Sequence, residues 1–258
     1  MRLSEPFLTA VWRHLLIVNY EVPPELLLPL CPTGTVLDLW QGHALVSIVG
    51  FRFLQARLRW ASIPGHRDFD EVNLRFYVRH RAADGTWRRG VTFIREFVPR
   101  AMIATIARWR YNEPYLSCPM RHRLDMAAAG AGDHGSVSYS WHTAGRWQSF
   151  AGETVGHPAL PPAGSEAAFT IEHYWGYTAQ RSGGTREYHV SHVPWRIWTV
   201  SDCTVTIDIA AVYGPIWSQP LAKTPTLALV AEGSPVAIYP GHSLPPGGSL
   251  SEARAPAV

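Results

Sequence analysis

Apolar and polar side chains alternate along much of the chain, most clearly in the stretch "DFDEVNLRFYVRH" at residues 68–80. Successive side chains of a β-strand point to opposite faces. One face of this strand would carry Val72, Leu74, Phe76 and Val78, and the other would carry Glu71, Asn73, Arg75, Tyr77 and Arg79. The first face predicts contact with a core. The second predicts either a solvated outer surface or the polar lining of a cavity.

Most other regular patterns in the chain also predict strands. They lie at 9–22, 35–58, 86–99, 135–155, in two segments between 172 and 207, and at 226–240. Short helices are expected near 23–32 and 164–171, and a longer one at 99–112, which starts on a proline and spaces its apolar residues as a helix does. Consecutive strands with few helices predict an α+β fold with a mostly antiparallel, curved sheet.

One domain over residues 1–242 is the simplest organisation. The segment 243–258 contains turn formers and few large apolar residues, so we expect a disordered tail.

Composition narrows the class of protein. Hydrophobic residues make up 47% of the chain and charged residues 17%, as in a folded domain, and the net charge is only +3. Arginines are scattered and Lys223 is the only lysine, so the basic stripe of a nucleic-acid-binding protein is missing. The three cysteines form no CxxC pair, which fits free thiols in a reducing compartment.

Neither a signal peptide nor a membrane span is recognised in the sequence. We therefore expect a cytoplasmic protein without nucleic-acid or membrane partners. A homo-oligomer is left open.

Several strands carry polar residues among apolar ones, which are costly to bury unless they are paired. Glu71 and Arg75 could form an exposed ion pair, although four residues along a strand span about 13 Å. His189 and His192 face opposite sides of a strand, so no metal site is predicted. The chain has no nucleophile-elbow or phosphate-loop pattern, and no cofactor is expected.

A longer succession of motifs resembles a known family. It comprises "FLTAVWRHLLIVNYEVPPELLLPLCPTGTVLDLWQGHALVSIVGFRF", "EVNLRFYVRH", "GVTFIREFVPR", "YLSCPMRH" and "EHYWGYT…HVSHVPW". From Phe7 to about Pro240 the chain is similar to the YqjF-type family of uncharacterised bacterial proteins and, more distantly, to the acetoacetate decarboxylase superfamily. The resemblance implies a mostly antiparallel, cone-shaped β-barrel around a cavity, with a few peripheral helices.

The decarboxylase resemblance can be followed at three points. Arg13 and Tyr20 match an arginine seven residues before a tyrosine, and Glu71 matches an acidic residue, with Phe69 replacing a tyrosine. The stretch "YLSCPMRH" aligns Met120 with the nucleophilic lysine and Arg121 with its neighbour. A methionine cannot form the imine of a Schiff-base decarboxylase, so that reaction is not expected.

If Glu71 matches the decarboxylase acid, its face of the strand looks into the cavity. The resemblance and the alternation together predict catalytic roles for Glu71, Arg13 and Arg121. The predicted substrate-binding residues are His14, Asn19, Tyr20, Asn73, Arg75, Tyr77, Met120 and His189.

Three functions stay open. The first is an enzyme that performs acid–base chemistry on a small oxo or carboxylate compound by dehydration, isomerisation, cyclisation or decarboxylation. The second is a non-catalytic protein that binds or senses a small molecule. In the third, the barrel is filled, and Glu71, Arg13 and Arg121 form a structural ion network.

Overall fold

A computed structural model describes residues 5–59, 67–99, 114–126, 134–181 and 183–244. Its long strands are β1 (Leu8–Val22), β3 (Ala44–Leu58), β4 (Phe69–Arg81), β5 (Trp87–Val98), β8 (His134–Thr143), β9 (Arg146–Ala159) and β12 (Ile197–Thr206). The shorter ones are β2 (Val36–Leu37), β6 (Tyr115–Ser117), β7 (Met120–Met126), β10 (Trp175–Ala179), β11 (Thr185–Ser191), β13 (Leu227–Ala231), β14 (Pro235–Ile238) and β15 (His242–Ser243).

The helices within these ranges are short. They are α1 (Pro24–Leu27), α2 (Glu166–Ile171) and α3 (Ile209–Tyr213), with 3-10 turns at Leu28–Leu30, Pro215–Trp217 and Pro220–Ala222. The short helix predicted at 164–171 is confirmed as α2. Residues 100–112 of the predicted longer helix lie outside the described residues.

Seven strands form a closed ring in the order β1-β3-β4-β5-β10-β11-β14. The strand β14 closes it, because it pairs with β1 over Leu8–Val11 and with β11 at Val190 and Ser191. The β5–β10 pairing is parallel and joins only two residue pairs, whereas the other ring pairings are antiparallel. The predicted α+β fold with a mostly antiparallel sheet is confirmed.

The strand β1 belongs to the ring and also to a side sheet. Its Leu15–Asn19 segment pairs with β13, from which the sheet continues through β12, β9 and β8 to β7. Gly233 lies between β13 and β14 with φ of +77°, and a Cβ there would come within 2.1 Å of the Trp12 carbonyl oxygen. Only glycine fits at this branch point of the sheet.

The two faces of β4 look into different interiors. Val72, Leu74, Phe76 and Val78 are fully buried in the larger core, between the ring and the side sheet. Burying four such side chains is worth roughly 6–12 kcal/mol, which fixes the orientation of the strand. The opposite face looks into the ring.

The helix α2 packs against side chains of the ring interior. Ser165 caps it by accepting a 3.2 Å hydrogen bond from the Ala168 amide, and Phe169 packs on the ring of Tyr77 at 5.1 Å between centroids. Asn19 of β1 donates from Nδ2 to the Thr170 hydroxyl over 2.7 Å and to Glu166 Oε1 over 2.9 Å. The helix is therefore fixed to the ring by both packing and hydrogen bonds.

At the carboxyl end of the described chain, β15 pairs with β11 and Leu244 is buried. Residues 245–258 of the predicted tail lie outside the described residues. No helix in the described ranges is long and apolar enough to span a bilayer.

Candidate functional site

The ring encloses a cavity of about 80 Å³, and each of its seven strands contributes to the wall. One enclosed water needs about 10–15 Å³ by this measure, so the space accommodates roughly five to eight water-sized groups. Pockets for drug-sized ligands are several times larger, at about 300–1,000 Å³. The cavity therefore suits a ligand of only a few non-hydrogen atoms.

Glu71 is the acid of this β4 face; 3% of its surface is exposed, and it lines the cavity. One carboxylate oxygen accepts a hydrogen bond from Asn73 Nδ2 and the other accepts one from the Tyr115 hydroxyl, both at 3.0 Å. Burial raises the pKa of Glu71 to about 7, and the two hydrogen bonds and the Arg75 charge offset that effect only in part. A carboxyl with this pKa can give or take a proton near neutral pH.

Arg75 follows Glu71 and Asn73 on the same face of β4 and supplies positive charge to the cavity. Its Nη2 donates to the Thr170 carbonyl over 3.4 Å, and its guanidinium carbon lies 5.7 Å from the centroid of the Tyr77 ring. Its Nε is buried and has no hydrogen-bond partner among the described residues. The half-buried guanidinium therefore keeps donor capacity for an anionic ligand.

His173, just beyond α2, also lines the cavity, and its side chain is 1% exposed. Its Nε2 lies 3.1 Å from Asp38 Oδ2, which also accepts a 2.6 Å hydrogen bond from Arg89 Nε. Burial alone would raise the pKa of Asp38, but the bonds from His173 and Arg89 outweigh it and hold that pKa below its usual value. Burial lowers the pKa of His173 to about 4 against the effect of Asp38.

With these shifts Asp38 is ionised and His173 is neutral at neutral pH. Because an ionised carboxylate can only accept, the 3.1 Å contact assigns the single imidazole proton to Nε2, where it points at Asp38. The other ring nitrogen, Nδ1, is left as a buried acceptor without a partner among the described residues.

Aromatic side chains form the apolar part of the wall. Trp12 packs edge-on against Phe51, Phe53 and Trp195, with centroid distances of 5.2, 5.6 and 6.1 Å. His192 stacks on Trp195 at 4.0 Å, and burial lowers its pKa, with Arg75 adding to the effect. These side chains give the cavity an apolar wall beside its polar groups.

Two of the predicted binding residues hold the structure of the ring together. Asn19 is fully buried, and besides its bonds to α2 its Oδ1 accepts a 2.6 Å bond from Ser47 Oγ. Tyr77 is 1% exposed, and its hydroxyl lies 2.5 Å from the same Ser47 Oγ. Neither residue belongs to the cavity wall.

Two others, Tyr20 and Met120, lie on the far side of the ring wall. Tyr20 is part of the larger core, where burial raises its pKa to about 12, and Met120 packs at the edge of that core. Met120 pairs with Trp141 between β7 and β8. The position aligned with the decarboxylase nucleophile thus lies outside the cavity wall of this chain.

The remaining predicted residues are also outside the cavity wall. Arg13 Nη1 reaches the Gly233 carbonyl at 3.4 Å, and His14 precedes Leu15 in an irregular part of β1. Arg121 is exposed, with its guanidinium 4.1 Å from the Trp147 ring. His189 packs between Trp175 and Tyr239, at 4.8 and 5.4 Å. The structure therefore brings Glu71, Asn73 and Arg75 together at the cavity, and places Arg13 and Arg121 elsewhere.

A bulge explains the position of Arg13. The register of β1 against β3 shifts between Arg13 and Leu16, and His14 has φ of +53°. Such a shift turns the preceding residues to the opposite face. Trp12 and Leu15 consequently both line the cavity, whereas strict alternation assigns Arg13 to the face of Leu15.

A second bulge in β5 has a similar effect, because Leu74 pairs with Arg95 while Arg75 pairs with Phe93. Phe93 and Glu96 both line the cavity as a result, and Glu96 is 1% exposed. The sequence-based site did not include Glu96, His173, Asp38, His192 or Tyr115. Alternation does place His192 on the face opposite His189, and that signal could have identified it.

Lys223, the only lysine of the chain, is exposed at the end of a 3-10 turn and is not part of the cavity wall. Among the described residues, no group of three or more histidine, cysteine, aspartate or glutamate side chains is arranged to hold a metal ion.

The ring and side sheet define a class of protein. They match the enduracididine biosynthesis enzyme MppR complexed with pyruvate at a TM-score of 0.66 and 15% identity, over 95% of this chain and 93% of that one. The acetoacetate decarboxylase of Legionella pneumophila matches at 0.61 and 13% identity, over 94% and 88%. An acetoacetate decarboxylase-like enzyme from Sphingomonas wittichii RW1 matches at 0.62 and 14%, over 93% and 94%. The chain has an acetoacetate decarboxylase-like fold.

Within this fold class the chain belongs to the DUF2071 family of uncharacterized conserved proteins, whose family model matches residues 9–235. It is also similar to the uncharacterized protein YqjF of Bacillus subtilis (strain 168), with 29% identity over 111 residues. That match spans 43% of this chain and 44% of YqjF. The resemblances inferred from the sequence are confirmed.

Proposed function

We propose that the cavity binds a small molecule that carries a carboxylate or carbonyl group, and that Glu71 performs acid–base chemistry on it. The observation that carries this proposal is the burial of Glu71 in the ring cavity, on the same strand face as Arg75. A buried carboxyl with a pKa of about 7 is suited to proton transfer, and an arginine is suited to holding a carboxylate.

The reaction class is proton transfer coupled to dehydration, isomerisation, cyclisation or decarboxylation, without an imine. Imine chemistry would need an amine in the cavity, and the only lysine of the chain is exposed elsewhere. Two features favour a small ligand: the cavity volume, and the pyruvate bound to MppR, which has the same fold. Pyruvate is therefore a reasonable first compound to test.

A non-catalytic binding or sensing protein is the second candidate. The observation that favours it is the absence of a lysine from the cavity wall, since a chain that lost the catalytic amine could keep the pocket for binding. The two candidates differ in one measurable respect. Substitution of a catalytic acid or base removes turnover while binding persists, whereas a binding protein has no turnover to lose.

The experiment is a thermal-shift screen of the purified protein against small oxo acids, hydroxy acids and enones. A ligand that binds the native state raises the melting temperature by mass action. Each hit is then incubated with the wild-type protein, with Glu71→Gln and with the exposed control Glu153→Gln, and product is followed by NMR. Turnover lost only in Glu71→Gln supports the enzyme. Hits without turnover support the binding protein, and an absence of hits in all compound classes contradicts both.

A further inference from the structure

His173 in the cavity wall and Asp38 behind it form a second acid–base group, to which the proposed function assigns no role. His173 is buried in the wall, and its Nε2 is engaged by Asp38, which itself does not line the cavity. Asp38 is in turn held by Arg89 at 2.6 Å. Because the two imidazole nitrogens lie on different sides of the ring, Nδ1 faces away from Asp38. An unpartnered acceptor that is this deeply buried is unusual, since native structures pair nearly all such atoms.

Arg75 lies within reach of the same ligand as His173. The guanidinium carbon of Arg75 is 5.7 Å, and the His173 ring centroid 4.6 Å, from the centroid of the Tyr77 ring. The two groups therefore cannot be farther apart than the sum of these distances, about 10 Å. A hydrogen bond at each end takes up roughly 3 Å between heavy atoms. This upper limit excludes a long ligand and is compatible with a carboxylate separated from a reacting carbon by two bonds.

On the basis of the proposed function, we infer that His173 is a base that acts on a small 2-oxo acid. Arg75 binds the carboxylate of this acid, and His173 removes a proton from the carbon next to its carbonyl group. In a 2-oxo acid this carbon is C3, two bonds from the carboxylate carbon. The C3–H bond breaks and an N–H bond forms at Nδ1. The electron pair of the C–H bond becomes the C2–C3 double bond, and the carbonyl oxygen takes the proton held by Glu71. The product is the enol, and the reverse steps restore both side chains.

Asp38 is a positioning residue in this scheme. Its ionised carboxylate fixes the imidazole proton on Nε2, which keeps Nδ1 free to accept. The geometry is that of a carboxylate-oriented histidine base, as in other enzymes in which a carboxylate selects the tautomer of a histidine.

The test is deuterium exchange at C3 of pyruvate and 2-oxobutanoate in D2O, followed by proton NMR against a protein-free blank. The wild-type protein is expected to accelerate exchange. His173→Gln is expected to lose about 100-fold or more of this rate, the usual contribution of a general base, while the thermal shift caused by pyruvate persists. His189→Gln is the matched control, because His189 lies on the outer side of the same ring, and it should exchange at the wild-type rate.

A second measurement uses the wild-type protein, so it holds even if His173→Gln does not fold. In 15N-histidine-labelled wild-type protein, His173 should show a protonated Nε2 and an unprotonated Nδ1 at neutral pH. Asp38→Asn should shift this tautomer and slow the exchange. A proton on Nδ1 in the wild-type protein would overturn the inference.

The outcomes separate the inference from the proposed function. Exchange that survives in His173→Gln but is lost in Glu71→Gln overturns the role of His173 and leaves that of Glu71 intact. Binding of either oxo acid without any exchange also overturns it, and leaves the cavity as a binding site. If neither oxo acid binds, the 2-oxo acid assignment is wrong, and the wider compound screen decides the proposed function separately.

Discussion

The Tyr115 hydroxyl donates a 3.0 Å hydrogen bond to Oε2 of Glu71 and so links β6 to the acid of the cavity. This bond stabilises the carboxylate form and lowers a pKa that burial raises. Tyr115→Phe should therefore move the pKa of Glu71 further up, above about 7. A 13C NMR titration of the Glu71 carboxyl, assigned by its loss in Glu71→Gln, measures the shift. Tyr239→Phe, which removes a hydroxyl outside the cavity wall, should leave the titration unchanged. A lower pKa in Tyr115→Phe would contradict the expectation.

Glu71 should also make the stability of the fold depend on pH. Its pKa is raised from 4.5 to about 7 in the folded state, so between these values the folded protein holds a proton that the unfolded chain releases. The contribution is present at low pH and is lost as the pH rises through about 7, and its total is about 3 kcal/mol. His173 acts in the opposite direction, because its depressed pKa makes the fold gain stability as the pH rises from about 4 towards 6.5.

The two effects can be separated by urea denaturation of wild-type and Glu71→Gln protein between pH 4.5 and 8. The difference in unfolding free energy, wild type minus variant, should fall across this range by about 3 kcal/mol. The exposed control Glu153→Gln should run parallel to the wild type. Parallel curves for Glu71→Gln as well would show that Glu71 titrates normally.

Arg75 should dominate the affinity for an anionic ligand. Hydrogen bonds to charged groups contribute roughly 1.5–3 kcal/mol, so Arg75→Gln should weaken binding of the best oxo acid about tenfold to hundredfold. Arg121→Gln is the control, because that guanidinium lies on Trp147 at the exposed edge of the side sheet. Isothermal titration calorimetry gives both affinities. If Arg121→Gln lost affinity and Arg75→Gln kept it, the site inferred from the decarboxylase resemblance would be the correct one.

Asn19 should matter for stability more than for ligand binding. Its side chain bonds to Ser47, Thr170 and Glu166, so Asn19→Ala removes three hydrogen bonds; the buried Thr170 hydroxyl loses its donor, while the Ser47 hydroxyl keeps Tyr77 as a partner. A typical hydrogen bond contributes about 0.5–1.5 kcal/mol and an orphaned buried group costs about 1–3 kcal/mol, so we expect a total loss of about 3 kcal/mol in chemical denaturation. Thr226→Ala removes an exposed bond to the same Glu166 and a long bond of 3.5 Å to the Asn19 carbonyl, and should cost less than 1 kcal/mol. Equal losses would mean that the buried network contributes little.

The alternation of β4 was sufficient to sort its residues into two faces, because a regular strand has a period of two that does not depend on the rest of the fold. It left open whether the polar face lines a cavity or meets solvent. Alternation failed at Arg13, where the bulge at His14 changes the face. It also could not tell a cavity residue from a structural one. Asn19 and Asn73 are both buried polar residues on inward faces, and the bonds of Asn19 to Ser47 and to α2 make it structural.

The His173–Asp38 pair was beyond prediction from one sequence. The two residues are 135 positions apart and lie outside regular strands, so no periodic signal links them. Their contact results from the packing of α2 on the ring, which the short pattern at 164–171 predicts as a helix but does not locate in space. The resemblance to the decarboxylases supplied the fold, and it directed attention to Met120 and Arg121, which this chain has on the outside of the cavity wall.

The number of paired residues between neighbouring strands differs widely around the ring. The β3–β4 pairing joins eight residue pairs, whereas β5–β10 and β11–β14 join two each. The β10–β11 hairpin contributes Trp175, Tyr188 and Val190 to the wall. It is therefore attached to the rest of the ring by the two shortest strand pairings. Local opening follows the segments that cost the least free energy to detach. We expect the hairpin to act as the gate of the cavity. The residence time of a bound molecule would then depend more on how fast these two strand pairings open than on the contacts between the molecule and the cavity wall.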